Sequence, residues 1–345
     1  MTFLNAFVAA SRGRLVLFQS LAIGLVAGGL TTFALFRGPA QSVDAAVVCD
    51  YYASPIGLAS GSGTLLSPWS LQTALNKTGQ IVTGKTLCLQ GGVYRGKFKS
   101  TLNGGGTVRG LDGAVIDGYV TTTLVNAMDA TQTTFTVANA SAFLTPVAFG
   151  GANTVIIDGE AIFIEGVNNI NGNNITGERA GSGSSTSPVP HAAGSLVRLA
   201  GNQLYVTGSN TTYRDIEILN SEPLRNWQTD GAEGLRGNGI FNTGSGNKFI
   251  NIIAHDNLSG LFSGSSSSNT EFYGCISYNN GMYDPPADPP GKGHGGYFEN
   301  VSGYSRLHEN IFLNNFNNGF QLYGRTAAYV GGDLRGNIAS NSGAP

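Results

Sequence analysis

The side chains best equipped for chemistry lie on or beside two excursions of the chain. The first, Pro223 to Arg236, carries Arg225, Trp227, Asp230, Glu233 and Arg236. The second, Met282 to Gly295, carries Asp284, Asp288, Lys292 and His294, and four prolines stiffen it. Glu299 and Arg325 follow. Carboxylates, an imidazole, an ammonium and guanidinium groups gathered in one groove can move protons and neutralise a developing negative charge. His255 and Asp256, adjacent in sequence, look like a catalytic pair, but Asp256 falls where the chain must turn sharply, which favours a structural role.

These residues need a scaffold, and the sequence supplies one by repetition. Asn251-Ile252-Ile253-Ala254-His255-Asp256 is echoed by segments starting at Gly274, Asn310 and Asn337, and an earlier copy starts at Asp215. Alternation of period two places Ile216, Ile252, Cys275, Ile311 and Ile338 on one inward column, with Ile218, Ala254, Ser277, Leu313 and Ser340 beside them. Asn220, Asp256, Asn279, Asn315 and Ser342 follow as corner residues. A glycine-led strand comes next, as in Gly239-Ile240-Phe241, Gly260-Leu261-Phe262, Gly296-Tyr297-Phe298 and Gly319-Phe320-Gln321. Two strands and a corner cannot bury an apolar face alone, so the copies must stack. Both excursions enter the glycine-led strand, so their bases fall within a coil or two of each other.

In the stack, Phe241, Phe262 and Phe298 form an outward strip after inward Ile240, Leu261 and Tyr297, with Gln321 next. Coils sit about 4.8 Å apart, so the rings would touch. Such a strip either binds the faces of sugar rings or lies under a covering loop.

The cadence resembles the right-handed parallel β-helix of the pectate-lyase-like superfamily, over roughly Cys49 to Gly118 and Gly201 to Pro345. The fold class implied is an all-β solenoid with an N-terminal cap, and the right hand comes from the resemblance. A lyase of that kind performs β-elimination on an acidic, uronate-containing polysaccharide. The resemblance then implies Lys292 or His294 as base, Arg325 as charge stabiliser and Asp230, Glu233 or Glu299 as ligands for Ca²⁺. Phe241, Phe262, Phe298, Trp227, Arg225 and Gln321 would hold the saccharide. A glycoside hydrolase would use paired carboxylates instead. The alternative is non-catalytic: a surface adhesin, spike or glycan-binding module.

Composition agrees with a turn-dense β protein: 345 residues, 51 glycines and 12% charged residues. A net charge of −2 without a basic run argues against nucleic acid as partner. Residues 1–45 read as a signal peptide or an N-terminal membrane anchor, since Arg12 and Arg14 precede an uncharged run from Leu15 to Phe36. Either places the remainder outside the cytoplasm, secreted or membrane-anchored. There Cys49 and Cys88 either pair or stay as separate buried thiols, while Cys275 is a small core residue.

Residues 46–118 read as the cap and first coils, with Trp69, Leu71 and Leu75 as cap core. From 119 to 199 the cadence stops. Strands around Phe135 and from Val155 to Val167, then Asp158-Gly159-Glu160, Gly177-Glu178-Arg179 and His191-Ala192-Ala193-Gly194, resemble an inserted small β module of phage tail and fibre proteins. His191 is expected to pack or be exposed there and not to bind a ligand. Residues 200–345 resume the coils and stop at Pro345 where a further glycine-led strand is due, an end that would suit self-association or a missing continuation.

Overall fold

The computed structural model describes residues 47–143, 153–164, 169–179, 187–225, 236–283, 291–324 and 329–343. Twenty-one of its strands fall into three parallel sheets of eight, seven and six strands. The first sheet opens with Tyr51–Leu58 and Thr86–Leu89 and ends with Gly332–Arg335. The second runs from Gly92–Arg95 to Ile338–Ser340, and the third from Phe98–Ser100 to Phe320–Tyr323. The chain is a right-handed parallel β-helix.

Each coil contributes three strands, not two. In one coil these are Lys248–Ile250, Ile253–His255 and Leu261–Ser263. The repeated phrase straddles the bend between the first two, so a corner falls on its opening residue in the first three copies and one place before it in the last two. Asp215, Asn251, Gly274, Glu309 and Gly336 all take positive φ, from 52° to 63°. A second corner lies at Asp256, Asn279, Asn314 and Asn341, again with φ from 49° to 57°. Asparagine and aspartate tolerate this left-handed conformation at low cost, which is why they mark the turns.

Ile252 and Cys275 are wholly buried as the alternation requires, and Ile216 is nearly so. The last two copies are displaced by one residue. Ile276 pairs with Ile311, Ser277 with Phe312 and Tyr278 with Leu313, so Asn310 and Phe312 point inward and Ile311 and Leu313 outward. Ile338 is likewise exposed, as is Ser340. Asparagine wins the inward place because it hydrogen-bonds the coil edge. Asn310 Oδ1 accepts from Cys275 N at 2.9 Å while its Nδ2 donates to Asn337 Oδ1 at 2.9 Å.

A longer ladder joins the second and third sheets. Asn257 N donates to Asn280 Oδ1 and Asn280 N to Asn315 Oδ1, both at 3.1 Å, and Asn315 N to Ser342 Oγ at 3.3 Å. Asn315 and Ser342 therefore belong to this buried row, one place past the left-handed corner. Every rung satisfies main-chain groups that the bend removes from the sheet. Rings stack inside as well: Tyr213, Phe249 and Phe272 lie 5.4 and 4.8 Å apart between centroids.

At the N-terminal end, Trp69, Leu71 and Leu75 are buried. Ser70 caps the one-turn helix Leu71–Ala74, and Trp69 stacks on Tyr51 at 5.2 Å. Cys49 and Cys88 form a disulfide; Cys275 is free and buried.

Between the early and late coils the chain leaves the stack. Val115 pairs with Glu217 and Phe98 with Leu204, so the stack skips the intervening residues. These form antiparallel sheets of four and three strands around a separate apolar cluster that includes Phe135, Ile157, Ile164, Ile175 and Val197. The motif residues join in one buried network. Arg179 Nε and Nη2 grip Glu160 in two bonds of 2.7 Å, His191 Nε2 meets Glu160 at 2.9 Å and its Nδ1 meets Asp158 at 3.1 Å. His191 thus ties strands together, and both its ring nitrogens are occupied.

No helix among the described residues is long and apolar enough to cross a membrane. The Leu15–Phe36 run lies outside them.

Candidate functional site

The outer face of the third sheet carries the most continuous array of ligand-type side chains. Register pairs Tyr205 with Lys99 and Phe241, Phe241 with Phe262, Phe262 with Tyr297, and Tyr297 with Gln321. Ring centroids along Tyr205, Phe241, Phe262 and Tyr297 are 5.3, 4.9 and 4.7 Å apart. Lys99 Nζ lies 5.7 Å from the Tyr205 ring at one end, a cation–π contact. Tyr323 and His294 flank Tyr297 at 5.7 and 5.2 Å. Phe241 is 6% exposed, whereas Tyr205, Phe262, Tyr297 and Gln321 are half-buried. The strip is therefore partly open to solvent, with Phe262 stacked on Tyr297 and edge-on to Phe241.

Phe298 is not in this column. It is wholly buried and packs on Phe272 and Phe312, and Tyr297 takes the outward place. The cause is Gly296, which pairs with Leu261 at an inward position. A Cβ there would meet Phe298 Cε2 at 2.4 Å, so the missing side chain is the space that the Phe298 ring fills. Simple alternation from the leading glycine misses this exchange. Tyr205 and Lys99 were also missed, although Leu204-Tyr205-Val206 already shows inward-outward-inward order.

Lys292 is exposed on the short strand Gly291–Lys292, antiparallel to Met282–Tyr283. His294 is half-buried; its N donates to Ser259 Oγ at 3.2 Å, and its Nδ1 is buried without a hydrogen-bond partner among the described residues. Burial pulls its pKa down to about 4, so the imidazole is neutral near pH 7. Gln321 Oε1 accepts from Asn318 Nδ2 at 3.4 Å. Trp227, Asp230, Glu233, Asp284, Asp288 and Arg325 lie outside the described residues.

Glu299 lies at the end of the same strand as Tyr297. It is 5% exposed and its Oε2 accepts from Ser265 N at 2.7 Å. Among the described residues, no three His, Cys, Asp or Glu side chains converge as a metal site would require.

Arg225 goes to the corner that follows the second sheet. It donates to Asn279 O at 2.8 Å, pairs with Asp256 and lies over Phe316. His255 sits between Asp256 (Nδ1, 2.6 Å) and Glu217 (Nε2, 3.0 Å) and stacks on Tyr278 at 4.7 Å. Asp256 also accepts from Asn279 Nδ2 at 2.7 Å. With both imidazole nitrogens and the aspartate engaged, the pair buttresses the corner, as its left-handed backbone implies.

No family model matches the chain, and no curated protein matches it. Among solved structures it is similar to a pectate lyase at 15% identity and TM-score 0.41, covering 85% of this chain and 62% of that one. A rhamnogalacturonan lyase follows at 13% and 0.40, covering 83% and 61%. A pectin methylesterase from Erwinia chrysanthemi gives 12% and 0.37, covering 86% and 66%. The chain thus spans less than two thirds of the length of either lyase. No catalytic residue is carried across at such identities.

Proposed function

We propose that this chain is an exported polysaccharide-handling protein whose saccharide lies along the outer face of the third sheet. The observation that carries the reading is the ladder Tyr205, Phe241, Phe262 and Tyr297, unbroken over four neighbouring coils. It offers a linear, regularly spaced and partly exposed aromatic track, with Lys99, Gln321 and Tyr323 to hydrogen-bond hydroxyls or carboxylates. A linear polymer matches that shape better than a compact ligand does. The Cys49–Cys88 disulfide supports an oxidising compartment, and hence export.

A second reading, β-elimination, is favoured by His294. Its neutral imidazole borders Tyr297, and its buried Nδ1 has no hydrogen-bond partner among the described residues. In that step the proton beside the uronate carboxylate passes to the imidazole, the carbanion's pair forms the C=C bond, and the glycosidic oxygen leaves with the departing chain. A base held near 4 is weak for such a proton, which is why binding leads.

The test mixes the protein with pectate, alginate and glycosaminoglycans, with and without calcium, and follows both retention in affinity electrophoresis and ultraviolet absorbance of unsaturated ends. Retention of wild type but not of Phe262→Ala supports the ladder, and absorbance that rises and is lost in His294→Ala supports elimination. Equal migration of both proteins in every polymer refutes the reading.

A further inference from the structure

A second site lies where the coils meet the excursion that follows Gly118. A cleft of about 500 Å³ is lined by Arg95, Tyr119, Val120, Thr121 and Ser221, within the range of small-molecule sites. Its wall is built from charged residues that the coil core does not need. Lys97 is wholly buried, its Nζ donating to Gly201 O at 2.6 Å and Gln203 Oε1 at 2.7 Å. Gln203 can come so close because residue 118 is glycine: a Cβ there would stand 2.0 Å from Gln203 Oε1.

Asp117, 3% exposed, is saturated by the same wall. Its carboxylate accepts from Arg95 Nη1 and Ser221 Oγ at 2.7 Å, Tyr119 N at 3.0 Å and Ser221 N at 3.1 Å. Asp117, Glu222 and Arg236 all lie within electrostatic reach of Lys97, and Arg198 stands beside Glu222. Among the residues that line the cleft, Arg95 is the one that carries a charge. Burial, partly offset by Asp117, lowers the Lys97 pKa to about 7.

The side chain of Arg95 is 61% exposed, and Asp117 engages one edge of its guanidinium. A planar fork with further N–H donors recognises a carboxylate in two parallel bonds. Beside it stand a tyrosine ring, two hydroxyls and an apolar floor at Val120.

We infer that this cleft binds one carboxylate-bearing sugar unit, with Arg95 on the carboxylate, Tyr119 against the ring and Thr121 and Ser221 on hydroxyls. The sugar identity rests on the proposed polysaccharide function; the carboxylate does not, since it follows from the exposed guanidinium of Arg95, of which Asp117 takes one edge. The site is distinct from the aromatic ladder.

The experiment is calorimetric or NMR titration of the full chain with galacturonate, its neutral methyl ester and galactose. Galacturonate is expected to bind at least tenfold more tightly than the ester or galactose. Arg95→Ala should abolish that preference, Arg95→Lys restore part of it, and Thr121→Trp, at an exposed position that leaves the Asp117 contacts intact, block all binding. Phe262→Ala should change none of these titrations. Equal affinity for acid and ester, or galacturonate binding unaffected by both Arg95→Ala and Thr121→Trp, would overturn the inference while leaving polymer retention by the ladder untouched. Loss of polymer retention alone would remove the ladder and leave the cleft.

Discussion

Tyr297 and Phe298 are neighbours in sequence with opposite duties, and exchanging each for alanine separates them. Phe298 is wholly buried, with ring neighbours Phe272 at 5.0 Å and Phe312 at 6.4 Å. Truncating such a ring costs about 3–5 kcal/mol, because the cavity next to Gly296 cannot collapse onto a residue with no side chain. Tyr297 is half-buried, stacks on Phe262 and borders Tyr323 and His294, so Tyr297→Ala should cost about 1 kcal/mol. Saccharide retention should rank the other way: lost in Tyr297→Ala, kept by the folded fraction of Phe298→Ala. Urea unfolding followed by circular dichroism reads the first quantity, compared by midpoint because stacked coils need not melt in one step. Equal midpoints, or a lower midpoint for Tyr297→Ala, would mean that the register of this strand is the one simple alternation gives, with Phe298 outside.

Three further outcomes follow from the geometry. Asn280→Ala strips partners from Asn257 N and Ala254 O at once; each buried group left unsatisfied costs about 1–3 kcal/mol, so the variant should accumulate as insoluble protein where Asn279→Ala stays soluble. Reducing the Cys49–Cys88 bridge, which closes a loop of sequence separation 39, should lower stability by about 4 kcal/mol on the loop-entropy relation, seen as a lower urea midpoint in reductant that the Cys88→Ala variant does not show. His294 has a folded pKa near 4, below the ordinary 6.5. The unfolded chain therefore takes the proton first as pH falls, and stability is lost from about pH 6.5 to 4. The loss should amount to about 1–2 kcal/mol after allowing for the ring's partial exposure, and His294→Gln should flatten that part of the profile.

The solenoid was legible because asparagine marks its corners and alternation marks its strands; both signals are local. The third strand per coil escaped because the repeated phrase begins on a bend, so that Lys248-Phe249-Ile250 reads as lead-in to Asn251 and not as a strand. The one-residue displacement at Ile311 and Ile338 shows what alternation alone misses. An apolar side chain normally claims the interior, but Asn310 and Asn337 hold it here because their amides satisfy the coil edge. Phe298 was misplaced for a related reason, since a glycine occupies the inward place and lends its volume to the next inward ring. The cleft beside Arg95 gave no sequence signal, for its walls come from segments more than a hundred residues apart. The contacts of Glu160, Arg179 and His191 turn the motif of the excursion into a structural clasp.

The direct pairing of Val115 with Glu217 also bears on how the molecule assembles. Two rungs that touch must first find one another across about a hundred residues, an entropic handicap that grows only slowly with length but delays the encounter. The later coils, linked by short local connections, can zip up among themselves beforehand. The seam at Asp117 and Leu219 is then the last to close, and shortening the detour should hasten maturation while leaving the finished rod's pitch unchanged.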